Sequence, residues 1–238
     1  MNRYSLRDLP IWWWAGIPLV MLLLTLYAYF NSAELMTLLI RRDVHPDGGG
    51  IAETGTVLVL LPAIVAGIAI LRHYRDRLPG WMFAWLAGWT LACLYFAGEE
   101  ASWGQHYFHW GSPETVRSLN DQNETNLHNI SPWFDQKPRT LVELWIVFAS
   151  LIVPVVHRFR PRALYADRDW ARWFWPTAIG IPTVLIFLFS FVVALIAKIT
   201  GRPDLHQLGS NELREFYIAL FMSSYLLSLW YRLRQQPT

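Results

Sequence analysis

The chain holds one cysteine, Cys93, among 238 residues. A lone thiol excludes an intrachain disulfide and any zinc site built on cysteine pairs, and its place inside an apolar run marks it as a small buried side chain. Charge is scarce as well: 16% of residues are Asp, Glu, Lys or Arg, against 54% apolar. That balance excludes an ordinary soluble domain, where about a quarter of residues are charged. No internal repeat, low-complexity tract or linker-like stretch interrupts the chain, so one domain over 1–238 is expected. Three catalytic signatures are also missing: His-Glu-x-x-His, the Glu-x-x-His of di-iron bundles, and the Gly-x-Ser-x-Gly elbow.

What is present is apolar blocks. Six of them, at about 11–30, 51–71, 80–98, 140–157, 173–197 and 212–231, approach the roughly 20 residues a helix needs to cross a bilayer. The first is too long for a signal-peptide core and no small-residue cleavage site follows it, so it is expected to be retained. The fold class is therefore an all-α integral membrane protein with six transmembrane helices. Span five carries no ionisable side chain between Arg172 and Lys198 and reads as a packing or lipid-facing element. Pro154 and Pro182 read as isolated kinks.

The basic residues orient it. With the N-terminus cytoplasmic, the inner segments hold 12 of the 20 Lys and Arg, eight of them in the short loops at 72–79 and 158–172. The positive-inside rule then places both termini in the cytoplasm. Tryptophans gather at the same boundary (Trp12 to Trp14, Trp81, Trp170, Trp173, Trp175, Trp230), as an aromatic belt would. Basic residues confined to short membrane-flanking loops argue against nucleic-acid binding. The arginine-rich 158–172 loop suits anionic headgroups.

Acidic residues and histidines sort the other way. Only Asp8, Asp76, Asp167 and Asp169 of the 18 acids, and His73 and His157 of the seven histidines, fall inside. The external segment 99–139 is long enough to contain structure of its own, with an interfacial helix expected over 114–130 and ended by Ser131-Pro132. Glu53, Glu143, Glu212 and Glu215 stand at the starts of spans two, four and six, where the helix dipole and capping favour a carboxylate. Thr140-Leu141-Val142-Glu143 has the form of a capping box. The run Gly48-Gly49-Gly50 before span two suits either a flexible turn or an anion-binding helix start. Glu99 and Glu100 differ. They close span three at its C-terminal end, where the dipole opposes them, and desolvation and mutual repulsion both penalise their charged forms. Such a pair calls for a metal, a basic partner or a shared proton.

If the helix runs on past Glu100, then Glu99, Trp103 and His106 share a face, with His109 at i, i+3 from His106. Glu124 and His128 form a second pair at i, i+4. Glu100, His106, His109, Glu124 and His128 are thus candidate ligands for a divalent Zn, Mn or Fe ion. Glu99 and Glu100 are the candidate acid and base. Glu53, Trp103, Gln105, Asn123, Glu143, Asn211, Glu212 and Glu215 form a supporting shell, and Arg139 or Arg214 could contact a phosphate.

Two blocks carry most of these residues: Gly98-Glu99-Glu100-Ala101-Ser102-Trp103-Gly104-Gln105 and Gln122-Asn123-Glu124-Thr125-Asn126-Leu127-His128-Asn129. They resemble the signature blocks of a group of small multi-pass bacterial membrane proteins, mostly described as uncharacterised. The resemblance implies a bacterial cytoplasmic membrane and supports the choice of site; it implies no activity. In that setting the glycosylation sequons at Asn123 and Asn129 are coincidental.

The function expected from this reading is a membrane-embedded, metal-dependent enzyme, a hydrolase or oxidoreductase. Its periplasmic Glu/His site would act on a lipid or lipophilic molecule arriving from the bilayer. A proton- or cation-coupled transporter using the same carboxylates is the alternative, although no inverted repeat or paired broken spans support it. A non-catalytic accessory subunit docking through Trp103, Trp110 and Trp133 is the third.

Overall fold

The computed structural model describes residues 8–40, 50–108, 110–111, 132–159 and 171–235. The regular elements among them are all helical. They are α1 (Ile17–Asn31), α2 (Ala33–Ile40), α3 (Ile51–His73), α4 (Gly80–Glu100), α5 (Gln105–Phe108) and α6 (Pro132–Val147). They continue with α7 (Val153–Phe159), α8 (Ala171–Phe174), α9 (Ile181–Thr200), α10 (Pro203–Leu208) and α11 (Asn211–Leu233). Five continuous helical stretches are long and apolar enough to cross a membrane: Trp12–Asn31, Ile51–His73, Gly80–Glu100, Arg139–Val156 and Ala178–Thr200.

The sixth expected span corresponds to α11, which is long but far less apolar and lies inside the bundle. Leu213, Phe216, Tyr217, Ile218, Phe221, Met222 and Leu226 are all buried, although they point in every direction around the helix. A helix enclosed by protein rather than lipid needs no apolar coat. That explains how one element can carry Glu212, Glu215, Ser223, Ser224, Ser228 and Arg232. The outer helices show the opposite pattern, with Leu58, Leu61 and Val65 of α3 and Leu185, Val192 and Leu195 of α9 exposed. Those surfaces are apolar where a bilayer would meet them.

Several local expectations change. The helix predicted from Thr140 begins instead at Pro132, so Thr140 lies in its interior and the Thr140–Glu143 capping box does not form. Pro132 opens this helix; the interfacial helix it was expected to end, at 114–130, lies outside the described residues. Residues 33–40, between the first two predicted spans, form α2. The span predicted over 173–197 starts late, because Pro176 interrupts the chain between α8 and the helical run from Ala178. Pro182 sits at the opening turn of α9, where a missing N–H costs nothing, and makes no kink. Pro154 does perturb its helix, as Pro18 does in α1. Each lacks the N–H that would bond four residues back, at Ser150 and Trp14, and each of those residues is the middle of a π-helical turn, Phe148–Ile152 and Trp12–Gly16. Gly50 is the N-cap of α3, while Gly48 and Gly49 lie outside the described residues.

Close packing between α3 and α4 depends on Gly67. A Cβ there would lie 2.2 Å from Thr90 Oγ1 and 2.8 Å from Thr90 Cγ2, and Thr90 is held by its own bond to the Leu86 carbonyl at 2.7 Å. Gly67→Ala is expected to lower stability by about 2 kcal/mol through overpacking. Adding Thr90→Ala should restore most of it. Thermal unfolding of the single and double variants in detergent measures the pair, and no recovery in the double variant would contradict the contact.

The end of the bundle away from the carboxylates is tied to the N-terminal segment. Thr177 Oγ1 donates to Asp8 Oδ2 at 2.6 Å, and Arg232 Nε lies 4.0 Å from the same oxygen. The buried Arg232 guanidinium also covers the Trp173 ring at 5.3 Å. Trp173, expected in a surface belt, is therefore enclosed. Trp85, Trp89, Trp145, Phe174 and Trp175 form a contiguous edge-and-stack cluster. Tyr225 joins it by accepting from Trp85 Nε1 at 3.0 Å and donating to the Phe174 carbonyl at 2.9 Å.

Candidate functional site

The site is built where α4 ends and where α3 and α11 begin. The end of α4 is set by a left-handed turn. Ser102, Trp103 and Gly104 have φ of 43°, 54° and 95°, so the helix does not continue toward His106. Only Gly104 adopts such a φ without cost, and each non-glycine residue held there costs of order 1–2 kcal/mol. Two contacts of Trp103 hold the turn. Its indole N–H donates to Glu99 Oε1 at 2.7 Å, and its ring lies on Gly98, where a Cβ would come within 2.9 Å of three ring atoms. The block Gly98-Glu99-Glu100-x-Ser102-Trp103-Gly104 thus reads as one device: a glycine to receive the ring, a carboxylate to receive the N–H, and a glycine to reverse the chain. Gly98→Ala is expected to push the indole off the helix, break its bond to Glu99 and lower stability by about 2 kcal/mol. A Tm equal to wild type would count against this account.

Adjacent helix positions point about 100° apart. Glu99 turns to Trp103, whereas Glu100 turns to α11. Ser210 caps α11, its Oγ accepting from Leu213 N at 3.4 Å, which puts Glu212 and Glu215 in the first turn and a half, three residues apart on one side. One carboxylate oxygen each from Glu100, Glu212 and Glu215 lie within 4.8 Å of one another. Glu100 is 9% exposed and Glu212 7%. Glu53, in the first turn of α3, is a fourth carboxylate whose charge acts on Glu100.

Among the described residues, Arg139 of α6 is a cation whose charge reaches Glu100. Its Nη1 meets Glu215 Oε1 at 2.5 Å and its Nε meets Glu143 Oε1 at 3.0 Å. Arg214 donates to Asn211 Oδ1 and lies over the Phe191 ring at 5.9 Å. Among the described residues, these five carboxylates and two guanidinium groups leave an excess of negative formal charge. Glu53, Glu212 and Glu215 have the favourable ends of helix dipoles, but Glu100 stands at the unfavourable end of α4. Buried charges of one sign require a counter-ion or a proton. Oxygens bound to one cation at 2.0–2.6 Å lie no more than about 5 Å apart, so the three carboxylates fit around a divalent ion.

Of the residues singled out by sequence, the structure gathers Glu53, Glu100, Arg139, Glu143, Asn211, Glu212, Arg214 and Glu215 at one end of the bundle. Trp103 and Glu99 flank them, and Gln105 follows at the start of α5. The side chain of His106, and residues His109, Asn123, Glu124 and His128, lie outside the described residues. Two features had signals that sequence reasoning did not combine. The i, i+3 spacing of Glu212 and Glu215 behind a serine cap puts this pair from the supporting shell on one side of α11, where both meet Glu100. The i, i+4 spacing of Arg139 and Glu143 suits the ion pair they form. The left-handed turn at Ser102-Trp103 carries no sequence signal beyond Gly104.

Comparison of the chain with models of protein families, with curated proteins and with solved structures finds no match in any of the three.

Proposed function

We propose that this chain is a six-span protein of the bacterial cytoplasmic membrane, with α11 as its enclosed sixth span and both termini in the cytoplasm. We infer that its carboxylate site faces the periplasm and serves a metal-dependent enzyme acting on a lipid or lipophilic substrate. The observation that carries the reading is the convergence of Glu100, Glu212 and Glu215, two of them buried, at a common helix end. In this scheme Glu100, Glu212 and Glu215 hold the divalent ion (Zn, Mn or Fe), with His106, His109, Glu124 and His128 as further ligands from the 99–139 segment. When bound, the ion would act as a Lewis acid or lower the pKa of a water. Glu99 is the acid/base, set in place by Trp103. Arg214 supports a lipid headgroup contact, because the Phe191 ring beneath it is itself exposed on the lipid-facing side of α9.

Elemental analysis of purified protein tests this, comparing wild type with Glu100→Ala and Glu212→Ala. Stoichiometric metal in wild type and its loss in both variants is the expected result. Metal-free wild type that is well folded in detergent would sink the metal reading and favour a transporter or an accessory subunit. Reporter fusions at residues 75 and 120 should report opposite sides of the membrane; the same side would overturn the topology.

A further inference from the structure

Glu100 is the carboxylate of the cluster without an assigned partner. It is nine-tenths buried, one of its oxygens lies within 4.8 Å of ligand oxygens on Glu212 and Glu215, and among the described residues no hydrogen bond reaches it. Desolvation leaves such a group in need of a positive neighbour. Arg139 is that neighbour by charge, while its Nη1 bonds Glu215 and its Nε bonds Glu143. Glu215 therefore serves two masters, as a member of the cluster and as the anchor of the guanidinium. Glu143, one turn along α6 from Arg139, offers the same guanidinium a second carboxylate on its own helix.

We infer that Arg139 is the resident counter-ion of the Glu100–Glu212–Glu215 cluster, and that a divalent cation binds by displacing its guanidinium from Glu215 toward Glu143. The inference rests on the cation-binding reading above and adds the device that controls occupancy. A divalent ion carries twice the charge of a guanidinium and can take an oxygen from all three carboxylates at once, including Glu100. Arg139 can yield without becoming an unpaired buried charge, because Glu143 stays within reach while α6 is intact. The exchange gives α6 a direct response to what the site holds.

The test is a Mn²⁺ titration of the full chain in detergent, read by loss of the free-ion EPR signal. Removing the competing charge with Arg139→Met should tighten Mn²⁺ binding about tenfold. Arg139→Lys, which keeps the charge, should stay close to wild type. Glu143→Gln removes the alternative anchor and should weaken binding, the opposite sign, so the test survives a poorly folded Arg139→Met. Unchanged or weaker binding in a folded Arg139→Met, or tighter binding in Glu143→Gln, overturns the exchange while leaving the cation site standing. Mn²⁺ bound by neither wild type nor any variant removes the cation site, and the exchange with it.

Discussion

Gly209→Ala is expected to dismantle the carboxylate end of the protein, with a loss of about 3 kcal/mol or more. The glycine closes α10 immediately before the Ser210 cap of α11, and it does so against the backbone of α9. A Cβ at this position would lie 2.5 Å from Ala194 N, 2.6 Å from Ala194 Cβ and 2.7 Å from Ala194 Cα. Two of these atoms are main chain, so no rotamer change can relieve the collision. Conformation is not the obstacle, since φ of −103° suits any residue. One of the two helices must move, and the start of α11 carries Glu212 and Glu215 with it. The variant should therefore lose both thermal stability and Mn²⁺ binding, and adding Ala194→Gly should recover only part of each. Gly201→Ala is the control: its φ of +65° makes alanine strained, but open space surrounds it, so about 1 kcal/mol is expected and the site should be spared. A Gly209→Ala protein as stable as Gly201→Ala would refute the close contact between α9 and the α10–α11 junction.

Glu100→Gln is expected to move stability and binding in opposite directions. Removing one of several clustered carboxylates relieves like-charge repulsion at an unfavourable helix end, so the metal-free protein should gain about 1 kcal/mol. The same change removes a ligand, and Mn²⁺ affinity should fall about 100-fold. Thermal unfolding with chelator and with saturating Mn²⁺ reads both effects in one experiment. Wild type should be the less stable protein in chelator and the more stable one in Mn²⁺. Glu99→Gln is the contrast, since it weakens the bond from Trp103, costing about 1 kcal/mol, while the three converging carboxylates stay in place. If Glu100→Gln instead lowers stability in chelator, Glu100 is held by a native partner and its role as an open ligand falls.

The chain's relation to the membrane is largely written in its apolar blocks. Five of the six appear as helices long and apolar enough to cross, because a helix that faces lipid must be apolar along its whole exposed surface. The site's place was legible for a related reason. Carboxylates at apolar helix ends are few, and Glu100 stands where neither capping nor the dipole accounts for it. Which carboxylates meet was not legible. Glu99 and Glu100 are neighbours in the chain and part company on the helix, while Glu100 meets Glu212 and Glu215 from more than a hundred positions away.

Composition and spacing, then, determined a multi-helix membrane protein with acids gathered at one boundary, since both follow from the cost of placing polar groups in hydrocarbon. The tertiary structure decided that α11, far less apolar than α1, α3, α4 and α9, is the enclosed helix, that Trp103 turns back onto Gly98, and that Arg139 joins Glu143 to Glu215. These are packing outcomes. They depend on which surfaces fit against one another in space, and no local pattern of residues encodes that.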